Sequence, residues 1–153
     1  MSEPALNDDF VDMLRALGAA GVEFVVVGAH ALAAHGLPRA TGDIDVLVRP
    51  SAENADRVMR ALVDFGAPIE AHGISTRDFA TGGTVYQIGL PPRRIDILTE
   101  ISGVSFEEAW ATRLTADVGG LRLSFLGRDA LIQNKLASGR DKDLLDVKLL
   151  RGA

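Results

Sequence analysis

Apolar residues at helical spacing open the chain. Phe10, Met13, Leu14 and Leu17 recur every three or four positions, Asp8 or Asp9 is placed to cap the segment, and Gly18 to Gly21 ends it. The period then changes. Val22 to Val27 is a valine-rich run suited to a buried central strand and closed by Gly28; Ala29 to His35 follows as a short alanine-rich helix stopped by Gly36 and Pro38. Asp43 to Val48 reads as a second strand ended by Pro50. Ser51 then caps a helix that carries Val58, Met59, Leu62, Val63 and Phe65 up to Gly66.

In the second half, Thr84 to Leu90 and Arg93 to Leu98 read as two strands joined across Pro91-Pro92. Thr115 to Val118 and Leu121 to Leu126 read as a hairpin around Gly119-Gly120. No helix of crossover length separates these strands, which predicts a mixed sheet with antiparallel pairs flanked by helices. Two short helices, Asp129 to Ala137 and Asp141 to Leu150, close the chain around a break at Ser138-Gly139. Trp110, at helical spacing from Phe106, reads as core. With 153 residues, 47% of them apolar, and no repeat or linker, the chain predicts one α/β domain over residues 1–153.

Composition narrows the chemistry. There is no cysteine and only three histidines, His30, His35 and His72, so thiolate and histidine-rich metal sites are excluded and any metal is expected on oxygen. Apolar runs fall far short of the roughly 20 residues that cross a bilayer. The first residues lack the basic start and apolar stretch of a signal peptide, so a cytoplasmic protein without membrane partners is expected. A net charge of −5 argues against a surface built wholly to grip nucleic acid. The charge is uneven: residues 1–120 carry 9 basic and 17 acidic side chains, residues 121–153 carry 7 and 4. The basic end can steer a polyanion or simply be a solvated helix face.

Side chains at i and i+2 of a strand point the same way, so Asp43 and Asp45 project from one face about 7 Å apart along the backbone while Ile44 faces the core. Crowded carboxylates repel and are tolerated most readily around a cation, and oxygen ligands suit magnesium, which binds through a few carboxylates plus substrate phosphates. Upstream, Val25-Val26-Val27-Gly28-Ala29 runs from a buried strand through a glycine turn into a helix N-terminus, where free backbone N–H groups attract phosphate. Neither Gly-x-Gly-x-x-Gly nor Gly-Lys-Ser/Thr is present, which excludes dinucleotide-binding and P-loop readings. A third acid, Asp96, lies on the opposite face of its strand from Ile95 and Ile97. If that strand lies beside the Asp43 strand, three acids converge, able to hold two magnesium ions with Asp96 as general base. An ion pair with Arg94, two residues away on the same face, is the structural alternative for Asp96.

Gly28-Ala29, thirteen further residues, Asp43-Ile44-Asp45 and a later Asp96 in a strand resemble the DNA polymerase β-type nucleotidyltransferase superfamily. Within it, Val27 to Ala31, His35-Gly36, Arg39, Thr41 and Asp43 to Asp45 are similar to the small bacterial AbiEii-like group, some of whose members are toxins of toxin–antitoxin pairs. Lys135, Arg140, Lys142, Asp143 and Asp146 fit the same pattern. The resemblance spans roughly residues 22–146. It implies a nucleotidyltransferase fold, transfer of a nucleoside monophosphate from a triphosphate to a hydroxyl of an RNA, protein or small-molecule acceptor, and a possible cognate toxin or antitoxin partner. One position departs from the superfamily: Ala29 stands where glycine or serine is usual, which removes a hydroxyl from the phosphate turn. A nucleotide-binding or partner-binding module of the same fold is the alternative that this departure motivates.

Around this centre, Arg39 is read as a phosphate contact and Thr41 as the hydroxyl that shapes the loop before Asp43, against plain loop positions. Lys135 is assigned to phosphate, while Arg140 and Lys142 are expected in salt bridges with Asp141, Asp143 and Asp146 at i, i+3 and i+4 spacing. His35 is expected to satisfy the last carbonyls of its helix, and His30 is placed where it could approach a bound nucleotide.

Overall fold

A computed structural model describes residues 6–152. The chain runs α1 (Asp8–Ala19), β1 (Phe24–Val27), α2 (Gly28–Ala34), β2 (Asp43–Val48), α3 (Ala52–Phe65), α4 (Thr76–Ala80), β3 (Val85–Ile88), β4 (Arg94–Leu98), α5 (Phe106–Ala111), β5 (Leu114–Val118), β6 (Leu121–Phe125), α6 (Arg128–Ser138) and α7 (Asp141–Gly152). Six strands form one sheet in the order β3-β4-β2-β1-β6-β5. Pairs β2·β4 and β1·β6 are parallel, and the other three are antiparallel. This is the mixed sheet that the strand pattern predicts.

Helices cover both faces. On one, Phe10, Met13, Leu14 and Leu17 of α1 and Ala55, Val58, Ala61 and Leu62 of α3 pack on Val26, Ile44, Val46, Val48, Ile95 and Ile97. On the other, Ala31 and Leu32 of α2, Phe106 and Ala109 of α5, Ala130 and Leu131 of α6 and Leu150 of α7 pack on Val25, Val27 and Leu47. Strand alternation puts Asp43 and Asp45 on the same side as Leu47, and thus at the margin of the second layer. Trp110 is half-buried, stacked on Phe106 at 5.8 Å with the Arg113 guanidinium over its outer face.

Several boundaries differ from the sequence pattern for identifiable reasons. Asn7, rather than Asp8 or Asp9, caps α1 by accepting from the Phe10 amide; the two aspartates occupy the first turn, where the helix dipole favours them. Strand β1 begins at Phe24 instead of Val22. The Val22 amide is spent on the Leu17 carbonyl and the Glu23 amide on the buried Asn54 side chain, while the Glu23 carbonyl is shared between the Asn54 amide group and the Arg49 main chain, so neither residue's N–H is available to the sheet. Ser51 caps α3 and Gly66 ends it in the left-handed conformation, as the pattern predicts. The Gly119-Gly120 hairpin closes with positive φ at both residues, the geometry that suits a two-residue turn between twisted strands. Helix α4, held by a capping box between Ser75 and Asp78, has no counterpart in the predicted elements.

Candidate active site

Parallel pairing of β2 with β4 sets Asp45 opposite Asp96 and Asp43 opposite Arg94. Antiparallel pairing of β1 with β2 sets Val27 opposite Asp45, so the glycine turn that follows β1 arrives directly above the same carboxylates. Asp43, Asp45 and Asp96 each present an oxygen within 4.8 Å of the other two. Asp96 is buried, and Asp43 and Asp45 are half-buried. The convergence expected from the strand pattern therefore occurs, and the register is its cause.

The electrostatic state of this cluster follows from its crowding. Burial first, then the charges of Asp43 and Asp96, push the Asp45 carboxyl up from 3.8 to about 7, and a hydrogen bond with Asp96 adds to the shift. Arg94 opposes it. Its guanidinium reaches both flanking acids: Nε donates to Asp96 Oδ1 at 3.1 Å, Nη2 donates to Asp96 Oδ2 at 3.2 Å, and Nη2 also donates to Asp43 Oδ2. The alternative reading of Asp96 as the partner of Arg94 is thus realised together with its place in the triad. Three hard oxygen donors, one of them reluctant to ionise beside the other two, suit a hard divalent cation such as magnesium.

The turn above the triad depends on glycine. Gly28 has φ of 67°, and a Cβ there would overlap Oδ2 of Asp45. Helix α2 starts at this residue with no side-chain cap from Val27, so its first N–H groups are not taken by a capping side chain. Ala29 follows, half-buried. His30, next along, packs edge-on against Phe10 with ring centroids 5.8 Å apart, and its Nε2 is buried without a hydrogen-bond partner. Burial lowers its pKa, against the raising influence of the Asp43 main chain and charge.

Thr41 shapes the approach to β2 by donating to Asp43 Oδ1 at 2.9 Å and to the Asp43 carbonyl at 3.0 Å, while the Asp43 amide donates back to its hydroxyl. Arg39 is held by the buried Asp146 of α7. Lys135 of α6 lies between Asp143 at 3.2 Å and Asp146 at 3.1 Å, and Arg140 binds Asp143 at 2.7 Å. Burial would raise the Asp143 carboxyl, but hydrogen bonds from Arg140 and Lys135 outweigh it and leave its pKa lowered. Arg140 is therefore in the salt bridge expected of it. Lys135 is also matched by carboxylates, so a direct meeting with phosphate requires it to change partners. Lys142 is exposed. His35 closes its own helix through its main-chain N–H, which meets the Ala31 and Leu32 carbonyls, while its side chain does not: Nε2 lies 2.8 Å from the Leu126 carbonyl and ties the end of α2 to the end of β6. Sequence spacing did not reveal two of these features: the bridge from Arg39 to α7, which joins residues 107 positions apart, and the engagement of Arg94 with both flanking acids.

An acid triad on adjacent strands under a glycine turn, in a mixed sheet layered by helices, is an arrangement able to hold a divalent cation beside a phosphate. The chain belongs to the DUF6036 family, described as nucleotidyltransferases of unknown function, whose model matches residues 13–150. Solved structures of low sequence identity share the fold. A candidate nucleotidyltransferase from Thermotoga maritima is similar at a TM-score of 0.60 and 16% identity, over 94% of this chain and 91% of that one. The lincosamide antibiotic adenylyltransferase LnuA, solved with lincomycin bound, is similar at 0.54 and 14%, over 97% and 98%. An antigenic nucleotidyltransferase-like protein from Paracoccidioides brasiliensis is similar at 0.50 and 16%, over 97% and 78%. Among curated proteins no sequence match is found. None of the helices among the described residues is long and apolar enough to cross a membrane.

Proposed function

We propose that this nucleotidyltransferase is magnesium-dependent and moves a nucleoside monophosphate from a nucleoside triphosphate to the hydroxyl of an acceptor. The observation that carries the proposal is the meeting of Asp43, Asp45 and Asp96 within 4.8 Å beneath the Gly28 turn. Asp43, Asp45 and Asp96 are the residues that would hold one or two magnesium ions. Bound there, the metal supplies charge neutralisation for the triphosphate and polarises its phosphoryl oxygens. The N–H groups of Gly28 and Ala29, which no capping side chain takes, would meet the phosphates. Thr41 fixes the rotamer of Asp43, and Arg39, joined to Lys135 through Asp146, lines the same cavity as Ala29, His30 and Thr41.

In the transfer, the acceptor hydroxyl gives its proton to Asp96 and its oxygen bonds to the α-phosphorus. The bond from that phosphorus to the bridging oxygen breaks, and pyrophosphate leaves with the electron pair. Incubation with labelled triphosphates, magnesium and a panel of acceptors (RNA, protein and small molecules) tests this. Label should pass to one acceptor class with release of pyrophosphate, and Asp43→Asn and Asp45→Asn should abolish it; equal labelling by both variants would overturn the reading. The structural neighbour that adenylylates a lincosamide makes a small molecule the first acceptor class to try.

Ala29 favours a second reading, a module of the same fold that binds nucleotide without turning it over. Calorimetric binding of triphosphate with no pyrophosphate release would select it. The likeness of residues 27–45 and 135–146 to the AbiEii-like group extends either reading to a toxin–antitoxin setting, to be tested by co-purification with the product of a neighbouring gene.

A further inference from the structure

The ion pair of Arg94 and the metal role of the triad compete for the same oxygens. Asp96 spends both carboxylate oxygens on the Arg94 guanidinium, and Asp43 spends Oδ2 on it. The register brings these groups together, since Arg94 stands opposite Asp43 on the neighbouring strand and two residues from Asp96 on the same face. Asp43 keeps only Oδ1 for Thr41. The Arg94 side chain is itself 30% exposed, so it can leave the carboxylates toward solvent without unpacking the core.

Resting on the proposed metal-dependent transfer, we propose that Arg94 is an exchanging counter-cation of this site. It holds Asp43 and Asp96 when no divalent cation is present, and it releases them to the cation and turns to the nucleotide's phosphates when both arrive. Two consequences follow from charge and geometry. A cation arriving alone must displace a guanidinium that makes three charge-assisted hydrogen bonds and leave it without an anion, so cation binding alone is weak. A triphosphate arriving with the cation brings the guanidinium pairs of phosphate oxygens that it can hold bidentately, so cation and nucleotide bind cooperatively. Arg94 is thereby a substrate-positioning residue as well as a brake on empty-handed cation binding.

The test is calorimetric titration of the full chain at pH 8 with Mn2+ alone, and then with Mn2+ in the presence of α,β-methylene-ATP, whose α–β linkage resists transfer. The parent should bind Mn2+ weakly alone and more tightly with the analogue. Arg94→Gln should bind Mn2+ on the order of tenfold tighter alone and lose most of the gain from the analogue. Arg94→Lys, whose point charge cannot span two carboxylates, should fall between the two and guards against a folding defect in the glutamine variant. Equal Mn2+ affinity and equal coupling in parent and Arg94→Gln would overturn the exchange while leaving the metal site intact. Absence of Mn2+ binding in the parent with and without the analogue would overturn the metal-dependent reading itself, and the exchange with it.

Discussion

Gly28 and Asp45 fit against each other so closely that a Cβ on the glycine would push the Asp45 carboxylate aside. Its φ of 67° disfavours any L-residue with a Cβ, and the added atom would meet the Asp45 carboxylate. Gly28→Ala should therefore combine backbone strain with displacement of a triad member. Thermal denaturation is expected to show a loss of about 2–3 kcal/mol. Nucleotide transfer should fall by far more than Ala29→Gly changes it, because position 29 has no such contact. A Gly28→Ala protein as stable and active as the parent would refute the fit.

Asp45 makes stability depend on pH in a direction opposite to an ordinary paired carboxylate. Its folded pKa of about 7 lies above its ordinary 3.8, so the folded protein holds a proton that the unfolded chain has already lost between those values. Its contribution is complete below about pH 4 and is lost as pH rises toward 7. Urea unfolding of parent and Asp45→Asn at pH 5 and pH 8, without metal, should show the variant gaining relative to the parent at the higher pH. Magnesium added together with α,β-methylene-ATP should restore the parent at pH 8 and do much less for Asp45→Asn.

Asp143 titrates with the opposite sign. Its pKa is held below 3.8 by Arg140 and Lys135, so its contribution is present above about pH 4 and lost on acidification. Removing this carboxylate leaves Lys135, only 12% exposed, with Asp146 alone. Asp143→Ala should cost about 2–3 kcal/mol in urea unfolding at pH 7, the range for losing charged hydrogen bonds when the lysine keeps a second carboxylate. Arg140→Ala, at the exposed end, should cost less than about 1 kcal/mol.

Ala29→Ser restores a hydroxyl beside the phosphate turn and should tighten triphosphate binding severalfold while leaving the melting temperature near that of the parent. Calorimetry with the non-reacting analogue measures it. An unchanged affinity would place the triphosphate away from residue 29.

The triad was legible in the sequence because each part follows a short-range rule. Alternation put Asp43 and Asp45 on one side of a strand, β-branched neighbours marked both strands as central, and Asp96 stood alone among isoleucines. The hairpin at Gly119-Gly120 and the helix capped by Ser51 were readable for the same reason. What was hidden depends on partners distant in the chain. Nothing near Glu23 announces that Asn54 will bind its main-chain N–H and share its carbonyl with Arg49. Nothing near Arg39 announces Asp146, and i, i+4 spacing within α7 could not say that Lys135 of α6 would share its acids. Helix α4 has five residues, too few for a periodicity to appear.

The two halves of the acid triad come from strands that are parallel neighbours, joined by a long excursion through α3, α4 and β3. Parallel neighbours of this kind pair only after the intervening chain has folded back, so the cluster cannot exist in a chain whose central sheet is incomplete. Cation affinity and closure of β2 on β4 are therefore one equilibrium seen from two sides. A cation that binds the triad would stabilise the finished sheet over every partly folded form, and a mutation that loosens the sheet far from the acids would register first as weakened cation binding.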